Sequence, residues 1–201
     1  MKMANQQNPE SNQRARVNQD CVIYIMSEFV KGIDAARAFF QYDRSNPINI
    51  TLGSEAEVPN YIHGSKGIIG FPFRFLHKYA GRDSDVRRLQ QHKLNIGLPE
   101  TGENMVSFSD WLIAAGIEET IHLLQDIGHP RLKAKLPGEG YMQLSKLDQI
   151  LSEHETEARQ FTDKILPTIG INPMWGQLDV YLQQTYPARY GKPAIPLVEE
   201  F

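Results

Sequence analysis

Trp111-Leu112-Ile113-Ala114-Ala115-Gly116-Ile117-Glu118-Glu119-Thr120-Ile121-His122-Leu123-Leu124 is almost wholly apolar, interrupted by two adjacent glutamates and, three residues further on, a histidine. Its apolar side chains recur at three- and four-residue steps, the period of a helix. Ser107 or Ser109 can cap the start, and Gly128 followed by His129-Pro130 ends the pattern, so a helix over about 107–128 is expected. Within it Glu118 and His122 are four residues apart and project from one face, within reach of a single ion. Carboxylates in such apolar company need a partner. No Lys or Arg lies within a turn, which leaves a metal, a distant basic residue or bulk water.

Upstream, residues 1–16 are polar with nothing to anchor them and read as a disordered tail. From about Val17 to Tyr42 the apolar residues follow the helical period again, predicting a long first helix. Asn46-Pro47 breaks it, and Ile48-Asn49-Ile50-Thr51-Leu52 alternates as a half-buried strand does. Pro59–His63 and Ile68–Leu76 read as a hairpin turning at Gly64–Gly67, with Pro72, which has no amide donor, at an edge or an end. A short exposed helix is expected around Asp83–Gln91. Downstream of the decisive stretch, a third helix is expected over about Leu144–Leu166, stopped by Pro167. A fourth follows at about Trp175–Gln184, and an extended end begins at Pro187.

With 201 residues, 41% of them hydrophobic, the chain can bury one sizeable core, so residues 17–201 are expected to form a single α+β domain. In it the helices at 107–128 and 144–166 face each other beside a small sheet drawn from residues 47–76. A formal charge of −3 gives no basic footprint for nucleic acid. The one cysteine, Cys21, sits in an apolar setting and reads as a buried hydrophobe rather than a nucleophile. No stretch approaches the roughly 18 apolar residues of a membrane span, and no signal-peptide core opens the chain, so a soluble, cytoplasmic protein is expected.

The third helix carries His154-Glu155-Thr156-Glu157-Ala158-Arg159. Together with Glu118-Glu119-Thr120-Ile121-His122, this resembles the gluzincin branch of the zincin metallopeptidases. In that family one helix carries H-E-x-x-H and a later helix a glutamate, often within E-x-x-A. The resemblance covers about Val17–Leu166, and a long helix, a strand and a glycine-rich hairpin precede the motif in the same order. It implies that Glu118 stands where the family has its first histidine ligand, that His122 is the second ligand and Glu155 the third. Glu119 would be the general base that deprotonates water. It further implies a divalent metal cofactor and a peptide or protein substrate, with Tyr186 or Arg189 as candidates to stabilise an oxyanion. His154, Glu157 and Arg159 are available to orient the ligands.

Glu118 departs from the family pattern. A carboxylate in place of neutral imidazole adds negative charge to the ion, making it a weaker Lewis acid, and two carboxylates with one imidazole suit manganese or iron as well as zinc. Two functional readings therefore stay open: a metal-dependent hydrolase, and a catalytically silent zincin-like domain that binds a partner, for instance a peptide along the edge strand near Ile68–Phe75. A third is a helical protein without a metal site, because Glu and His at this spacing also occur by chance on solvated faces. Glu119–His122 is also the E-x-x-H of di-iron bundles, but those need a second copy and the chain has none. Neither a G-x-S-x-G elbow nor a phosphate loop is present, so nucleophilic catalysis has no support.

Overall fold

Asn18 opens the first helix. Its side-chain oxygen accepts hydrogen bonds from the amides of Asp20 (3.0 Å) and Cys21 (3.5 Å), satisfying donors that the first turn leaves without partners. Helix α1 (Gln19–Phe40) ends where Gln41 turns left-handed at φ 55° and returns its amide to the last turn. Ile25, Phe29, Ile33, Ala36 and Phe40 form its buried stripe. Each large member contributes about 1.5–3 kcal/mol by leaving water. Cys21 lies in the same stripe, fully buried, as the sequence predicts.

The computed structural model describes residues 17–54, 56–62, 64–65, 67–96, 105–135 and 145–190. The predicted tail at 1–16 and most of the predicted extended C-terminal end lie outside them. Within them the fold is α+β, helices around one contiguous core with two small sheets. No helix among the described residues is long and apolar enough to cross a membrane.

In the first sheet, β1 (Asn49–Ser54) runs parallel to β3 (Ile68–Pro72), and β2 (Asn60–Tyr61) pairs antiparallel with β3, giving the order β1-β3-β2. The predicted hairpin is therefore present, but its second strand stops at Pro72 instead of reaching Leu76. Phe73–Tyr79 forms helix α2. β3 is also the central strand, so the edge once expected near Ile68–Phe75 is taken up by neighbours on both sides. Gly67 is required where the hairpin returns: its φ is +129°, and a Cβ there would stand 2.8 Å from the carbonyl oxygen of Pro47.

Asp85 caps α3 (Val86–Gln91), close to the expected position. The pair β4 (Lys93–Asn95) and β5 (Met105–Ser107) was not legible, since three-residue strands are too short to show a period. Ser107 then caps α4 (Phe108–Asp126), accepting from the amide of Asp110 at 3.0 Å.

α4 is the axis of the molecule, but its main partner differs from the expected one. It packs most extensively on α1, and only secondarily on α6 (Glu153–Ile165). Two glycines permit this: a Cβ on Gly32 would lie 2.0 Å from the carbonyl oxygen of Ile113, and one on Gly116 2.1 Å from that of Phe29. The backbones of α1 and α4 are in contact at this crossing. The predicted third helix is also two helices, α5 (Lys146–Ile150) and α6, broken at Leu151-Ser152 where Ser152 takes an extended conformation. Leu144, its expected first residue, lies outside the described residues. Finally, Asp163 on α6 accepts hydrogen bonds from the amides of Met174 (2.8 Å) and Trp175 (3.0 Å), which fixes the start of α7 (Gly176–Thr185).

Candidate metal centre

Two side chains hold the first turn of α6 against the last turns of α4. Gln125 Nε2 donates to the carbonyl oxygen of His154 and to Glu157 Oε2, both at 3.0 Å. Glu157 also accepts from the amides of Lys133 (2.8 Å) and Ala134 (3.1 Å), drawing in the segment that follows α4. Both residues are buried, and hydrogen bonds to a charged acceptor in such a place are the strong kind. This clamp sets Glu155, in the first turn of α6, opposite Glu118 and His122.

One ligating atom each from Glu118, His122 and Glu155 lies within 4.8 Å of the other two. Three atoms so spaced fit on a circle of radius about 2.8 Å (4.8 Å divided by √3), so closing onto an ion at about 2.0–2.2 Å requires shifts of under about 1 Å. Glu155 Oε2 is 3.7 Å from His122 Nε2, and its Oε1 is 3.4 Å from His154 Nε2. The side chain of Glu155 keeps 24% of its surface exposed against 10% for His122, so the cluster sits in a largely buried recess that retains some contact with solvent.

Charge crowding in this recess is severe. Burial raises the Glu118 carboxyl to about 8, and the nearby Glu155 charge pushes the same way. Burial likewise raises Glu119 to about 7, against the pull of His122 and the Tyr61 amide. For His122, burial alone would lower the pKa, but Glu155, with Glu119 and Glu118 behind it, overcomes this and lifts it to about 10. Glu155 is held well below the usual carboxylate range because His122 and His154 outweigh the burial that opposes them. Carboxyls pushed up and an imidazole pushed up beside them are what desolvated, like-charged groups crowded around one ring produce.

The donor set fits a divalent cation: two carboxylates and an imidazole, convergent, largely desolvated and partly in contact with solvent. Among the described residues, the basic side chain whose charge acts on Glu118 is Arg159, which is buried and tied elsewhere. Its Nε donates to Asp179 Oδ1 at 2.7 Å, Nη1 to the carbonyl oxygen of Ile150 at 3.1 Å and Nη2 to Thr156 Oγ1 at 3.4 Å. It reaches Glu118 only through its field. Tyr190 completes that cluster by hydrogen bonding to Asp179, and burial pushes its phenol up to about 12.

Glu119 lies close enough to His122 and Glu155 for their charges to act on it, and its Oε2 reaches the sheet, where it accepts a hydrogen bond from the Tyr61 amide. Tyr61 Oη and the Gly64 amide both donate to Asp126 Oδ2, at 2.5 and 3.0 Å, so β2 and its turn are fastened along α4. The structure does not bring Arg189 to the recess: it pairs with Asp148 beside α5. The backbone amide of Tyr186 closes α7, and no described contact links its side chain to the cluster. His77 is exposed on α2, and His63 lies outside the described residues.

Sequence reasoning missed Gln125. The signal available was a polar residue three positions after His122, on the same helical face, at the end of an apolar run. No family model, no curated protein and no solved structure matches the chain.

Proposed function

We propose that the chain is a zincin-like metalloprotein that holds one divalent ion on the carboxylates of Glu118 and Glu155 and on the imidazole of His122. Glu119 is set beside it to accept a proton during hydrolysis of a peptide-like bond. The observation that carries this reading is the convergence of three ligating atoms, from two different helices, within 4.8 Å. The order of elements supports it too: the motif helix α4 lies against the β2–β3 hairpin, and the third glutamate comes from a later helix.

An ion held there supplies Lewis acidity, and its two carboxylates suit manganese or iron at least as well as zinc. The remaining chemistry belongs to the side chains. Glu119, with a pKa near 7, is matched to proton transfer at neutral pH, and the Tyr61 amide fixes one of its oxygens and leaves Oε1 to take the proton.

One observation favours a second reading, a metal-holding domain without hydrolytic activity: the Tyr61 amide gives Glu119 a structural duty between sheet and helix. Two variants separate the readings in an assay against a mixed peptide library. Under the first, the native protein hydrolyses peptides, while Glu119→Gln keeps its ion and loses activity. Under the second, the native protein is silent, and Glu118→His restores hydrolysis. Activity that survives unchanged in Glu119→Gln contradicts the role given to that residue.

A further inference from the structure

The environment of His122 determines which of its ring nitrogens faces the recess. Glu157, an acceptor on both oxygens, receives the amides of Lys133 and Ala134 and one N–H of Gln125. The carbonyl oxygen of His154, which can only accept, receives another. The amide nitrogen of Gln125 must therefore point at these two acceptors, and its oxygen must point the other way, at His122 Nδ1, 2.9 Å away. An oxygen at that position requires a proton on Nδ1. The lone pair of the neutral ring is then on Nε2, the nitrogen that faces Glu155.

We infer that Glu157 and Gln125 form an orienting relay which fixes both the tautomer and the rotation of the His122 ring, so that Nε2 is the atom presented to the ion. The inference rests on the metal-centre reading and deepens it. Neither residue touches the ion, so both are positioning residues. Because both are buried, their preference is transmitted to the ring in a low-dielectric setting that strengthens the shared hydrogen bonds. The relay also ties the recess to the segment after α4, because the acceptor at its far end is set by the amides of Lys133 and Ala134.

Two variants of the full chain test this. Gln125→Met removes the acceptor at Nδ1 with little change of volume. Glu157→Gln turns one of the two obligate acceptors of the Gln125 amide nitrogen into a group that can also donate, and reads the same question should Gln125→Met fail to fold. The probes are zinc alone, with affinity measured by competition against a chelator, and the proton on His122 Nδ1, followed in histidine-labelled protein by its resistance to solvent exchange. The expectation is a 10- to 100-fold loss of zinc affinity together with loss of the protected Nδ1 proton. Unchanged affinity and an unchanged Nδ1 proton in both variants overturn the relay. Weakened zinc binding with an undisturbed Nδ1 proton also overturns it, by reducing both residues to packing, and so does a lost proton with unchanged affinity. If the native protein takes up no zinc while both variants lose the Nδ1 proton, the relay stands and the metal reading falls.

Discussion

Glu155 Oε2 faces His122 Nε2 at 3.7 Å across the gap between α6 and α4, two helices that meet here because Gln125 and Glu157 hydrogen bond beneath them. The separation is longer than a good hydrogen bond and close to that of two ligands on one ion. Glu155→Gln keeps the shape but removes the charge. Since losing a residue that merely orients a ligand costs 10- to 100-fold in affinity, losing this ligand is expected to weaken divalent ion binding by more than ~100-fold, measured by calorimetric titration. A change below tenfold removes Glu155 from the site.

The recess also predicts an unusual pH dependence in chelator-treated protein. Glu118 and Glu119 are raised to about 8 and about 7, so from their ordinary range upward the native state holds protons that the unfolded state has lost. His122, raised to about 10, does the same above its ordinary 6.5. Stability therefore falls as pH rises from about 5 to 9, because the native state binds more protons throughout that window. The opposing contribution of Glu155, depressed by its histidine neighbours, is lost only below its ordinary range as pH falls. Thermal melts are expected to give a lower Tm at pH 9 than at pH 6 without metal, with the difference narrowed by added divalent ion, which takes the place of the protons. A Tm that rises over this range contradicts the electrostatic picture.

The α1–α4 crossing has no room for a side chain at Gly116, where a Cβ would come within 2.1 Å of the Phe29 carbonyl oxygen. Gly116→Ala would gain helix propensity elsewhere, but here it must force two backbones apart. It is expected to destabilise by about 3 kcal/mol, lowering the Tm by roughly 10 °C. Gly128→Ala makes a control of a different kind, since nothing crowds that position and only its φ of +71° resists the change.

Arg159→Met leaves Asp179 in a largely buried place without its cation. A broken buried pair typically costs about 3–5 kcal/mol, and chemical denaturation should show a loss of that order. Adding Asp179→Leu removes the stranded carboxylate as well and is expected to recover most of it. If the double variant is no better than the single one, the pair is not what Arg159 supplies.

Much of this was legible in the chain, for identifiable reasons. The boundaries of α1 and α4 follow from a long apolar period and a capping Asn or Ser, signals that lie within each segment. Glu118 and His122 could be paired because helix geometry alone places i and i+4 together, and Glu155 could be joined to them by resemblance. What escaped depends on contacts between segments distant in sequence. That α1 rather than α6 is the chief partner of α4 is decided by Gly32 and Gly116, whose packing has no periodic signature. The hairpin's second strand was read too far because Phe73-Arg74-Phe75-Leu76 is as compatible with a strand as with the helix it forms after Pro72. Arg189 was offered as an oxyanion-stabilising candidate by resemblance, and Asp148 holds it elsewhere. Gln125 acts through an amide whose orientation is set by three partners, two of which, His154 and Glu157, lie about thirty residues away in sequence.

Metal content is the most direct test of the central claim. Protein purified without chelator, analysed by elemental mass spectrometry and then titrated with zinc, manganese and iron(II), is predicted to hold close to one divalent ion per chain. At least one of the three metals should bind with a Kd tighter than micromolar, and Glu118→Gln and Glu155→Gln should each abolish that uptake. No bound ion, and no Kd tighter than micromolar for any of the three, would contradict the account.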